Sequence, residues 1–188
     1  MSTIAKFTIE EYERIVTTGA FDGKNRRRVE LIRGEIREMS PIGSKHADIL
    51  AWLTTWSADK VARDIAGIRV QSPLKLGAAE SEPEPDLVWV LPKRYRDAHP
   101  TADDVILLIE VADSSLDYDR GEKAEIYAKA GIREYWLVNI INRTIEVRRE
   151  PKDGEYLSEQ VFAAGESVSP LAVPDVRLNV DDVFSSTA

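Results

Sequence analysis

The sequence predicts an α/β fold in which a mixed β-sheet carries helices on its faces. Two runs, Leu87–Leu91 and Val105–Val111, are almost continuously apolar, the pattern of strands covered on both sides. Segments with helical spacing flank them: apolar residues recur at Ile49, Leu50, Leu53, Trp56 and Val61, and again at Ile126, Tyr127 and Ala130. Strand and helix patterns mix along all 188 residues without a repeat or a low-complexity stretch. That suits one domain over residues 1–188, with its core from about residue 7 to about residue 184.

Each element has a local cause. Thr8-Ile9-Glu10-Glu11 has the capping-box spacing and opens a helix through about Val16. Arg28–Ile32 and Glu35–Met39 alternate charged and apolar side chains around Gly34, which predicts two strands and a turn. A break at Ser40-Pro41-Ile42-Gly43 precedes the amphipathic helix expected from Ser44 to about Asp64. Ile68–Gln71 and Leu74–Leu76 read as strands. Glu80–Pro85 does not suit regular structure, because its two prolines remove donors and push their predecessors toward extended backbone.

After the two apolar strands, a helix is expected over Asp119–Ala130, with Asp119 as N-cap, Glu122 at the capping-box position and Gly131 as the C-terminal glycine. Tyr135–Val138 and Thr144–Val147 suggest a hairpin, and the remainder, with turns at Asp153-Gly154 and Ala164-Gly165, suggests short β segments.

Composition narrows the chemistry. The chain has no cysteine, which excludes disulfides, thiolate metal sites and a cysteine nucleophile. No apolar run approaches the ~20 residues of a membrane span, and Met1–Glu10 lacks the basic-then-apolar order of a signal peptide; the expectation is a cytoplasmic protein. The net charge of −8 argues against broad affinity for polyanions. Two clusters, Lys24, Arg26, Arg27, Arg28 and Arg33, and Lys93, Arg94 and Arg96, could still supply a local basic groove, though each also reads as a solvated loop.

The candidate chemistry lies between residues 86 and 123. Asp86 opens the first apolar strand and Glu110 lies near the end of the second. If those strands pair antiparallel, the two carboxylates meet at one end of the sheet. Burying a lone carboxylate beside Val-Ile-Leu-Leu-Ile is costly, and a divalent cation relieves that cost best. Lys123, Ile126, Tyr127 and Ala130 stand at i, i+3, i+4 and i+7, so the lysine shares an inward stripe with Tyr127. An inward lysine needs an anionic partner, and Glu110 is at hand.

Several blocks resemble the Uma2 family of bacterial proteins, which belongs to the PD-(D/E)XK nuclease superfamily. They are Pro85-Asp86, Ile109-Glu110-Val111, Asp119–Lys123 and above all Tyr127-Ala128-Lys129-Ala130-Gly131-Ile132-Arg133-Glu134-Tyr135-Trp136. Val29–Glu35, Ser40-Pro41 with His46, and Pro174–Leu178 extend the resemblance to nearly the whole chain. It implies a restriction-endonuclease-like core with added hairpins, and an endonuclease that hydrolyses DNA phosphodiesters with Mg2+ or Mn2+. Asp86 and Glu110 would bind the metal, and Lys123 would orient water or offset charge on the phosphate. Ala112 stands where the superfamily's strand lysine would be, so Lys123 would have to supply that function from the following helix.

Glu30, His46 and Tyr127 are accessory candidates. Glu30 could reach the metal from a neighbouring strand or be an ordinary strand glutamate, and His46 could touch phosphate or hold Glu30 or Asp86. His99, before Pro100, reads as a surface residue, and Trp52, Trp56, Trp89 and Trp136 as core or interface. No Gly-rich phosphate loop, nucleophile elbow or His-rich zinc pattern is present. A glycosidase reading of the two carboxylates leaves the inward lysine unexplained. Two functional readings compete: a metal-dependent endonuclease acting on nucleic acid, expected as a homodimer, and a nuclease-fold binding or regulatory module that cleaves nothing.

Overall fold

The computed structural model describes residues 3–22 and 27–185. Its elements are α1 (Ile9–Thr17), β1 (Val29–Ile32), β2 (Glu35–Glu38), α2 (Ser44–Lys60), β3 (Gly67–Val70), β4 (Leu87–Val90), β5 (Val105–Ala112), α3 (Leu116–Tyr118), α4 (Ala124–Ala130), β6 (Glu134–Asn139), β7 (Thr144–Lys152), β8 (Glu155–Phe162), β9 (Ser167–Val168), β10 (Leu178–Asn179) and α5 (Val180–Phe184). Six strands form the main sheet in the order β3-β4-β5-β6-β7-β8. All neighbours are antiparallel except β5 and β6, which run parallel because α3 and α4 carry the chain back across the sheet. The mixed sheet with helices is the α/β architecture the sequence predicts, and the β1–β2 and β7–β8 hairpins extend it.

Strand alternation divides the core into two layers. Leu87, Trp89, Leu107, Ile109, Val111, Trp136 and Val138 face α2, where Ile49, Leu50, Leu53 and Trp56 pack. The intervening positions Val88, Val90, Leu108, Ala112, Tyr135 and Leu137 face the other way, onto Ala124, Ile126 and Tyr127 of α4. Trp56 stacks on Trp89 with centroids 5.8 Å apart and leans on Trp136 at 6.5 Å, so these three tryptophans are core residues. Such ring pairs add ~0.5–1.5 kcal/mol beyond the area they bury. Trp52 is half-buried at the edge of the same layer.

The local expectations fare unequally. Thr8 forms a full capping box with Glu11, and Gly131 ends α4 at φ 84°. Helix α2 stops at Lys60, short of Asp64, because Val61 turns extended to bury its side chain. Leu74–Leu76 is not a strand: past Pro73 the chain loops, Lys75 N–H reaching Pro100 O at 2.8 Å and Leu76 N–H reaching Ser81 O at 2.9 Å. The C-terminal part holds more order than short β segments. β7 and β8 form a hairpin of nine and eight residues whose turn, Asp153-Gly154, takes positive φ at both positions. Helix α5 also packs Val180 and Val183 into the core.

Lys24 and Arg26 lie outside the described residues. Of the other cluster cations, Arg28 pairs with Glu84, Arg33 with Glu125 and Lys93 with Asp104, so these charges are dispersed among ion pairs. No helix among the described residues is long and apolar enough to cross a membrane.

Inside the β6–β7 pair, Glu146 is buried and accepts from Arg120 Nε at 2.9 Å and Asn139 Nδ2 at 3.1 Å. Burial opposes its charge, but these donors hold its pKa below the usual glutamate range. The folded pKa thus lies below the unfolded one, so the contribution is fully present above ~4.3 and is lost as pH falls through the folded value. Glu146→Gln is expected to cost about 1–3 kcal/mol at pH 7, as loss of charge-assisted hydrogen bonds does. Urea denaturation should show that deficit shrinking at pH values below ~4.

Candidate active site

Antiparallel pairing places Leu87 opposite Ile109, which brings Asp86 beside Glu110 and Val111. Both carboxylates then bond across the strand gap. Glu110 Oε2 accepts from the Asp86 N–H at 3.0 Å, and Asp86 Oδ2 accepts from the Val111 N–H at 2.9 Å. Glu110 follows Leu108 and precedes Ala112 on the face that meets α4, so its head points at that helix.

The helix arrives with its donors in place. One helical segment runs from Leu116 to Ala130, and residues Asp119–Lys123 form a π-helical turn between α3 and α4. Such wide turns are rare and are often found at functional sites. Asp119 and Lys123 both point inward from it and are buried. Lys123 Nζ donates to Glu110 Oε1 at 3.0 Å, and Tyr127, one turn on, donates its hydroxyl to the same oxygen at 2.6 Å. Asp119 is therefore not an N-cap. The helix has already begun at Leu116, and the Asp119 carboxylate accepts from Ser115 Oγ at 2.6 Å. Nor does Glu122 close a capping box; it is the ion-pair partner of Arg37.

Two further elements complete the cluster. Glu30, buried on β1, places Oε2 3.6 Å from Lys123 Nζ and receives the Tyr118 hydroxyl on Oε1 at 3.4 Å. His46, in the first turn of α2, sets Nε2 2.9 Å from Asp86 Oδ1. Gln71 donates to that oxygen at 3.1 Å. The structure thus brings together Asp86, Glu110, Lys123, Glu30, His46 and Tyr127, and adds Gln71, Tyr118 and Asp119. Gln71 had one weak sequence signal: it is a polar residue closing the segment Ile68–Gln71 that reads as a strand.

Burial sets the electrostatics. It pushes the Glu110 carboxyl above its usual range, Lys123 pulling against it and Asp86 adding to it. Asp119 is likewise pushed up by burial, to about 6. Asp86 goes the other way: burial opposes its charge, but His46, the Val111 N–H and Gln71 hold it below the ordinary aspartate value. Lys123 stays protonated although burial disfavours its charge, because Glu110, Glu30 and Asp119 surround it. Four buried carboxylates face one buried ammonium.

All of the cluster except Tyr127 lines a cavity of about 500 Å³ whose walls also include Arg28, Arg37 and Ser115. Its donor set fits a hard dication. The carboxylates are oxygen ligands, they exceed the buried positive charge, and no cysteine thiolate competes.

A sheet that turns parallel after β5, with an acid pair where β4 meets β5 and a helix crossing over it, belongs to a nuclease-type α/β fold. A crystal structure described as a putative nuclease belonging to DUF820, from Anabaena variabilis, shares it with a TM-score of 0.71 and 18% identity, over 95% of this chain and 97% of that one. The chain itself belongs to the Uma2 family, whose model, described as "Putative restriction endonuclease", matches residues 9–181. No curated protein matches the chain.

Tyr127 tests how far Glu110 depends on its donors. Tyr127→Phe keeps the ring in the core but takes one hydrogen bond from a buried carboxylate. The expected loss is about 1–3 kcal/mol of unfolding free energy, measured by urea denaturation at pH 7. A variant as stable as the parent would show that the hydroxyl contributes nothing.

Proposed function

We propose that the chain is a divalent-metal-dependent endonuclease that hydrolyses phosphodiester bonds in DNA, with Asp86, Glu110 and Lys123 at its centre. One observation carries this reading: the Glu110 carboxylate accepts from the Asp86 backbone N–H and from Lys123 Nζ at 3.0 Å each, and all three residues line a solvent-open cavity rich in buried carboxylate.

Asp86 and Glu110 would hold Mg2+ or Mn2+, which when bound lowers the pKa of a water ligand and offsets charge developing on the phosphate. Asp86 is the pre-ionised member of the pair, aimed by His46 and Gln71. Glu110 is oriented by Tyr127 and by the Asp86 N–H. Lys123 keeps its proton, so it serves as a fixed cation that orients the attacking water or meets a phosphate oxygen. Arg28 and Arg37, in the same cavity wall, would meet flanking phosphates by exchanging their partners Glu84 and Glu122. A homodimer belongs to this reading, since cutting both strands takes two such centres; sedimentation showing only monomer at tens of micromolar would count against it.

A second reading, a binding module that cleaves nothing, draws support from the many donors already engaged. Every oxygen of Asp86 and Glu110 accepts a protein hydrogen bond, and Ala112 occupies the strand position of the superfamily lysine. Incubation with supercoiled plasmid separates the two. Mn2+-dependent nicking should fall at least 100-fold in Asp86→Ala and Lys123→Ala, on the order of a lost electrostatic catalytic group. Plasmid left intact, with Mn2+ titration heats identical in the parent and Asp86→Ala, would sink the enzyme reading.

The pH dependence has a defined sign. Because Glu110 holds its proton to a higher pH than a free glutamate, its ligand form is depleted on the acid side. Mn2+ should bind more weakly at pH 6 than at pH 8 and release protons on binding, which calorimetry in buffers of different ionisation enthalpy detects.

A further inference from the structure

Outside the Asp86–Glu110 centre, a second cluster stands on three elements remote in sequence. Glu13 projects from α1, Glu82 from the extended segment before β4, and His99 from the loop before β5. One ligand atom from each lies within 4.8 Å of the others. All three line a cavity of about 650 Å³ together with Tyr12, Phe21 and Arg28.

Glu82 makes this more than a patch of acids. Its side chain is buried, 3% exposed, and its Oε2 has no hydrogen-bond partner among the described residues. It cannot withdraw, because its backbone is clamped to β1 in both directions: Leu31 N–H to Glu82 O at 3.2 Å, and Glu82 N–H to Leu31 O at 2.7 Å. An unsatisfied buried carboxylate oxygen is costly, and a cation is the partner that best removes the cost. Glu13 is held beside it by Lys75, 2.6 Å from Oε1. That lysine offsets one of the two carboxylates and makes no hydrogen bond to Glu82 Oε2.

We propose that Glu13, Glu82 and His99 form a second metal site, separate in its ligands from the Asp86–Glu110 pair, that binds a borderline dication of the Zn2+ class. The ligand chemistry selects the ion: one imidazole nitrogen and two carboxylates suit Zn2+, whereas Mg2+ favours all-oxygen sites and keeps its waters. Ligand bonds of about 2.0–2.2 Å in a tetrahedral site set the ligand atoms about 3.3–3.6 Å apart, so three atoms lying within 4.8 Å of one another would have to draw in by up to ~1.5 Å. Burial keeps the His99 imidazole below its usual pKa, which leaves a lone pair free at neutral pH. Burial also raises Glu82 to about 7, so Zn2+ would displace a proton there. The bound ion would tie α1 to the sheet-side loops, which the unfolded chain cannot do, and so raise Tm.

The chain has two histidines, and each reports on a different centre. Zn2+ is titrated into the unmutated protein while the imidazole resonances are followed by NMR, His99→Gln assigning the signals. The His99 ring should shift at the first equivalent. By calorimetry, Zn2+ affinity should fall at least tenfold in Glu82→Gln and His99→Gln but persist in Asp86→Asn, with circular dichroism verifying each fold. A His99 signal unmoved by Zn2+, or binding retained in folded Glu82→Gln and His99→Gln, overturns the proposal; Glu82 is then a carboxyl kept neutral by burial. Nuclease activity enters none of these readouts, so the second site stands or falls apart from the proposed function.

Discussion

Two hydrogen bonds from backbone N–H groups to carboxylates tie the site to the sheet. Glu110 takes the N–H of Asp86, and Asp86 takes the N–H of Val111. Each carboxylate thereby completes the ladder of the opposite strand where regular pairing ends. A one-residue slip between β4 and β5 would turn Glu110 into the tryptophan layer and Ile109 toward α4. The apolar cost of that slip protects the geometry of the acids, so the packing of Trp89, Leu107 and Ile109 is also the support of the polar cluster.

The same arrangement accumulates negative charge. Glu30, Glu110 and Asp119 are buried around Lys123 with Asp86 beside Glu110, and burial drives Glu110 and Asp119 toward their neutral forms. A chain selected for stability alone would place apolar side chains in such positions. The π-helical turn carries two charged residues, Asp119 and Lys123, which stand four positions apart and are both buried on its inner face. Around the rim, Arg37 is fixed by Glu122 and Glu35, and lies over the Tyr118 ring, so the cavity wall is positioned by contacts outside it.

Much of this was legible in local pattern. The capping box at Thr8, the antiparallel meeting of Asp86 with Glu110, and the inward stripe of Lys123 and Tyr127 each rest on spacing within one or two elements. Where spacing misled, the cause was also local. Asp119 and Glu122 mimic a capping box, but Leu116 to Tyr118 had already started the helix, which turns those positions into interior ones. Leu74–Leu76 has strand composition without a strand's neighbour, because Pro73 and the prolines beyond lead it into a loop.

The sequence by itself determined the α/β class, the strand ends that carry Asp86 and Glu110 and the face on which Lys123 enters, because strand and helix periodicities decide which way a side chain points. Only the tertiary structure decided what those side chains meet. Glu30 and Lys123, His46 and Asp86, and Glu13, Glu82 and His99 lie far apart in sequence on elements whose periodicities are independent. Their approach depends on how α1, β1 and α2 close over the ends of the sheet, and that is set by apolar packing in both layers and in the separate cluster of Tyr12, Val29 and Leu31.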